Sequence, residues 1–352
     1  MKSRYPGAIC AALVLVALSA YGQNLPQATI RGVVKDIESG APVVSASVFI
    51  ANTTLGDATD AQGAFEITRV PPGTHQLVVS IIGYETQTRN IRVMAADTDN
   101  QNFILKPKTL ETATVDVVAE PPREWRKNLK KFEELFWGTS RLVAECKLVN
   151  PEVLDFNTPK DENSFIARAE QPLDMENRGL GFRVEIILHE FKQDLNDESL
   201  RYQVVPHFKA LAPASDREER KWQQNRLHAY RGSLRHFYRA LIANRLLAER
   251  FRVFRMPALP WLTDSAERRP ITSQELLTET SVSFERQLRL PEYLEVRYDD
   301  EKEGEQISWL DGRDNPITLN ISGYVTGPFD VMVYGYWAGQ RVAEMLPRDY
   351  EP

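Results

Sequence analysis

From residue 28 to residue 106 the chain is cut into short runs in which apolar and polar residues alternate, and turn residues separate the runs at near-regular spacing. Successive side chains on a strand point to opposite faces, so a run such as Ile30 to Lys35 buries one face and wets the other. Five more runs follow: Val43 to Ile50, Phe65 to Thr68, His75 to Ile82, Thr86 to Val93 and Asn102 to Leu105. This pattern predicts a small antiparallel β-sandwich and excludes a helical bundle for this part of the chain.

Two turns carry local chemistry of their own. In Thr59-Asp60-Ala61-Gln62-Gly63-Ala64-Phe65, Asp60 can accept backbone N–H bonds across the turn and Gly63 tolerates positive φ before the next strand. In Val70-Pro71-Pro72-Gly73-Thr74, Pro72 presets the first corner of a type II turn and Gly73 suits the second. Asp57 and Asp60 together could offer oxygens to Ca²⁺, but a shell of six to eight ligands needs more than this turn supplies. No metal and no cofactor are expected.

The ordered strings Arg31-Gly32-Val33-Val34, Pro42-Val43, Ala46-Ser47-Val48, Thr59 to Phe65, Pro72-Gly73 and Ile82-Gly83-Tyr84 resemble the carboxypeptidase regulatory-like domain. The resemblance implies a transthyretin-like sandwich. It also implies the company of Bacteroidota envelope proteins, in which the domain often precedes TonB-dependent transporters. It implies no peptidase: a zinc site needs a His-x-x-Glu pair and a distant His, and none of His75, His189, His207, His228 or His236 has Glu three residues on.

Ahead of this module, Lys2 and Arg4 precede an apolar stretch from Ala8 to Ala20, and Ala20-Tyr21-Gly22 has small residues where a signal peptidase reads. The expectation is an exported chain beginning at Gln23, periplasmic or outer-membrane associated but not an integral membrane protein. Only Cys146 would then remain, which rules out an intramolecular disulfide, and its neighbours Leu142 to Leu148 read as a strand with a half-buried structural thiol. The net charge of −6, together with export, argues against a nucleic-acid partner.

After the sandwich, Leu110 to Val118 reads as a linker strand, and the chain beyond it lacks the many amphipathic strands of a transporter barrel. Pro121-Pro122 closes the connector. Trp125, Leu129, Phe132 and Phe136 then recur at helical spacing, predicting an amphipathic helix on a core, although Trp125 among cations also permits a peripheral membrane contact. Phe182, Val184, Ile186 and Leu188 predict a half-buried strand whose other face carries Arg183, Glu185 and His189, and Ile317 to Ile321 and Phe329 to Val333 predict two more.

Residues Asp216 to Arg255 hold eleven Arg or Lys and four acids, and read as one long helix or a broken pair with a kink at Gly232-Ser233. His228, Arg231, Arg235 and Arg239 fall in one arc beside an apolar arc of Leu227, Tyr230, Leu234, Phe237, Tyr238 and Leu241. These four are the candidate partner-binding residues, because planar Arg forks suit carboxylates and phosphates; a salt-bridged face, or catalysis by His228 or His236, are the alternatives. Segments from Glu124 to Tyr350 are similar to the C-terminal region of envelope proteins that carry the same first module, and no activity comes with that likeness.

The expected molecule is multi-domain: signal peptide 1–22, all-β transthyretin-like sandwich 28–106, linker 107–123, and an α+β domain 124–352 of mixed strands with one long basic helix. Its expected function is non-catalytic binding or scaffolding in the envelope, with an envelope protein or an anionic glycan as partner and its oligomeric state open. A hydrolase of an envelope polymer, with Asp174 and Glu176 near Arg178 as acids, and a membrane-surface adaptor are the alternatives. No catalytic residue is assigned.

Overall fold

The computed structural model describes residues 27–94, 98–108, 121–156, 163–263, 267–290, 292–312, 316–325 and 331–352. The expected signal peptide, the Leu110 to Val118 segment and Phe329 lie outside the described residues. Among the described residues, no helix is long and apolar enough to cross a membrane.

The first module is a sandwich of two four-stranded sheets. One sheet joins β1 (Ala28–Asp36) to β4 (Ala64–Val70), β7 (Thr98–Asn100) and β8 (Phe103–Leu105); the other runs β3 (Gly56–Ala58), β2 (Ser47–Ile50), β5 (Gly73–Ser80), β6 (Gln87–Val93). Ile30, Val34, Val48, Ile50, Ile67, Leu77, Val79 and Phe103 fill the space between them. The wholly antiparallel expectation changes in one respect, because β1 pairs in parallel with β7 and β8. After β6 the chain crosses to the opposite sheet instead of folding back as a hairpin, and a crossover delivers a parallel neighbour.

The Pro71-Pro72 connection is likewise an inter-sheet corner. It passes the chain from β4 to β5, and Gly73, with φ 152°, is already a strand residue paired with Val93, not the second corner of a type II turn.

In β5, the run Leu77-Val78-Val79-Ser80 is buried without alternation. Leu77 and Val79 face the sandwich core, while Val78 turns outward with Phe49 and Ala51 against Val205 of the second module. A sheet covered on both faces reads as continuous apolar sequence.

Among the described residues the second module holds two large apolar cores and a smaller cluster of Met256, Leu259 and Tyr293, against which Trp309 and Tyr334 pack. In the first, α1 (Arg123–Trp137) lays Phe132 and Phe136 on a five-stranded sheet. The centre of that sheet is the strand Phe182–Asp194, flanked by Leu173–Asn177, Leu200–Ala210 and Ser164–Ile166. Trp125 donates its indole N–H to the Leu154 carbonyl at 3.0 Å and packs on Phe156. The apolar face of α1 thus packs on the protein's own sheet.

The expected long basic helix is two helices and a strand. α2 (Asp216–Tyr230) and α3 (Leu234–Ile242) are separated by a turn, and Phe251–Met256 is a strand. Gly232 sits in the turn at φ 72°, where an added Cβ would lie 2.6 Å from the Tyr298 ring. Ser233 caps α3 by accepting from the His236 N–H at 3.2 Å. Phe237, Tyr238 and Leu241 of α3 form the second core against the inner face of another five-stranded sheet, ordered Arg269–Pro270, Phe251–Met256, Tyr293–Asp300, Gly304–Asp311, Met332–Gly335.

Candidate functional site

The four basic residues proposed from the helical arc do not form one free stripe. Arg235 is 9% exposed; its guanidinium donates to the carbonyls of Ser322, Pro347 and Arg348 at 3.3, 3.3 and 2.8 Å. Burial lowers its pKa. Arg235 and Arg348 both lie over the Tyr324 ring, at 4.8 and 4.5 Å. Arg239 pairs with Glu351 at 2.8 Å. Both arginines therefore hold the segment Pro347 to Glu351, which continues onto the sandwich through Arg348 N–H to the Asn52 carbonyl and Thr54 N–H to Asp349.

His228 faces Glu303 at 3.3 Å, and Arg231 is exposed at the C-terminal end of α2. His236, the other catalytic alternative, is buried. Its Nδ1 accepts from Gly232 N–H at 3.1 Å, so its Nε2 carries the hydrogen toward Glu249 at 3.3 Å. Burial lowers its pKa, which keeps the ring neutral while it ties the interhelical turn.

The remaining sequence candidates are dispersed. Asp174 forms a bidentate pair with Arg183, and Glu176 pairs with Arg178 at 2.6 Å. Glu185 lies between His207, 3.6 Å away, and Lys209, 2.5 Å away; together these bring its pKa down to about 2, against the opposing effect of burial. His189 sits at a bulge farther along the same strand, so Arg183, Glu185 and His189 do not converge.

In the sandwich, Asp60 accepts from Gln62 and Ala64 N–H at 2.9 and 2.8 Å, and Asp57 from Ala58 and Glu66 N–H. Their oxygens serve the backbone. Among the described residues no three or more His, Cys, Asp or Glu side chains are placed to hold a metal.

A different surface gathers groups that the sequence left scattered. On the outer face of the Phe251–Met256 sheet, strand register sets Phe254, Glu295, Trp309 and Tyr334 directly opposite one another. Trp261, from the loop after Met256, stands on this row 5.5 Å from Trp309 at 89° and 5.4 Å from Tyr334 at 60°. It is 55% exposed and the adjacent Leu262 is 64% exposed.

Beneath the rings Glu295 is fully buried. It accepts from Trp309 Nε1 at 3.0 Å, Arg268 Nε at 2.9 Å and Arg297 Nε at 2.7 Å. Burial pushes its pKa up, and these donors outweigh burial to hold it below the usual carboxylate range. The arrangement is an aromatic ledge on an ion-paired base. Sequence reasoning missed it because Trp261 lies in a loop without periodicity, and only long-range strand pairing places Trp309 and Tyr334 beside it.

Comparison with known proteins bears on the first module. Over 96 residues, 27% of this chain, the sequence is 33% identical to the TonB-dependent receptor SusC of Bacteroides thetaiotaomicron; the chain spans 8% of that receptor's length. Among solved structures, a type II cohesin–X-dockerin complex from Acetivibrio cellulolyticus is similar over 23% of this chain and 58% of its own, at 24% identity and TM-score 0.21. A proposed carbohydrate-binding protein from Bacteroides uniformis aligns over 88% of this chain and 99% of its own, at 10% identity and TM-score 0.20. Both TM-scores are too low for either neighbour to define the architecture or the partner of this chain. Residues 30–117 match the profile of one family, and on that match and the sandwich geometry the chain carries an N-terminal CarboxypepD_reg-like domain.

Proposed function

We propose that this protein is a non-catalytic binding protein of the bacterial envelope that receives a protein or glycan partner on the aromatic ledge. The observation that carries this reading is the clustering of Trp261, Trp309 and Tyr334 on one sheet face with Trp261 more than half exposed. A large aromatic ring left more than half in water beside two partly buried rings is a feature of binding surfaces. The envelope setting is supported by the hydrophobic leader expected from the sequence and by the match to a TonB-dependent receptor. The carboxylates that a hydrolase reading would use are paired with Arg183 and Arg178, which favours binding over hydrolysis.

The test is capture of detergent-solubilised envelope material on the immobilised chain. Loss of the captured component in Trp261→Ala, with the circular dichroism spectrum unchanged, is the expected result; undiminished capture by that variant would overturn the proposal.

A further inference from the structure

We infer that the ledge is a stacking site for a neutral pyranose glycan. This rests on the reading of the ledge as the binding surface and names the ligand chemistry. The axial C–H groups of a pyranose are polarised by the ring and hydroxyl oxygens, and they are attracted to the negative faces of aromatic rings. Trp309 and Tyr334 face each other across adjacent strands, and Trp261 stands at a steep angle to both, so the rings bound a step and not a flat patch.

The Trp309 ring of the step is held in place before any ligand arrives. Trp309 is held through its Nε1 by buried Glu295, and Glu295 in turn by Arg268 and Arg297, so little side-chain freedom remains to be lost on binding.

Local charge is largely paired. Arg268 and Arg297 are matched by Glu295, Arg252 and Arg297 by Glu305, and Arg269 by Glu267. Each of these four arginines already engages a carboxylate, three carboxylates serving the four, so none of them is left unengaged for an acidic sugar. The exposed Leu262 and Met332 at the margins would suit a protein partner, and that alternative is an outcome of the test.

The experiment titrates the full chain with cellohexaose, laminarihexaose and maltohexaose, and with an oligogalacturonate of equal length, by calorimetry and tryptophan emission. At least one neutral hexasaccharide is expected to bind; Trp261→Ala should weaken it about tenfold or more, and Trp261→Phe should retain most of the affinity. An unchanged melting temperature in both variants separates loss of the site from loss of the fold. Failure of all three neutral sugars at millimolar concentration, or binding of the oligogalacturonate alone, would overturn the inference. If no sugar binds but Trp261→Ala still abolishes capture of an envelope protein, the glycan inference falls while the ledge remains the binding surface; if Trp261→Ala affects neither, both fall.

Discussion

At Gly63 the chain has φ 73°, and an added Cβ would lie 2.5 Å from the Val34 carbonyl oxygen. Gly63→Ala should therefore cost about 1–3 kcal/mol, measurable by denaturant unfolding. The need for glycine here was legible because Asp-x-x-Gly turns have a local mechanism. The part-buried thiol of Cys146 was legible, but its setting only in part, because Arg141–Glu145 is a 3-10 helix and the strand covers only Cys146–Leu148; its Sγ lies 3.4 Å from the Leu142 carbonyl, and burial pushes the thiol up to about 12. The native protein should resist alkylation at neutral pH and react only on unfolding; fast native labelling would contradict this. Glu185 was named from its strand face, but its partner His207 lies on the neighbouring strand, and the sequence could not pair them. With its pKa lowered from 4.5 to about 2, Glu185 contributes stability that is present above pH 4.5 and lost as pH falls toward about 2. The melting-temperature gap between the native protein and Glu185→Gln should accordingly narrow over that interval, and a gap independent of pH would be contrary to it.

At the scale of elements, the arcs that defined α2 and α3 were legible, as was the break at Gly232-Ser233. The fate of their basic faces was not, because it depends on a tail segment more than a hundred residues farther along the chain. Arg235 holds that segment through the Pro347 and Arg348 carbonyls while its third donor reaches the Ser322 carbonyl, a fork that Lys cannot reproduce. Arg235→Lys should destabilise the protein by about 2 kcal/mol and expose the Pro347 to Glu351 segment to proteolysis. A variant as stable and as protease-resistant as the native chain would show that the tail is held by other contacts. The strand Phe251–Met256 was absorbed into the predicted helix because its arginines hid the alternation of Phe251 and Val253.

For the whole molecule, the sandwich was legible and its junction with the rest of the chain was not. Alternation predicts which face of β5 enters the sandwich core, but not that Val78, Phe49 and Ala51 meet Val205 on the other side. The junction adds a parallel stack of Phe49 on His207, 5% exposed, with centroids 4.4 Å apart, and backbone bonds from Asn52 to Pro206 and from Phe208 to Thr53. Calorimetry should show one cooperative transition, and Val205→Asp, which buries a charge in the junction, should split it into two. The measurement that tests this account most directly is capture of envelope material by Trp261→Ala and Arg231→Glu side by side. Loss with Trp261→Ala and full retention with Arg231→Glu is the predicted result; the reverse would contradict it and return function to the basic helices.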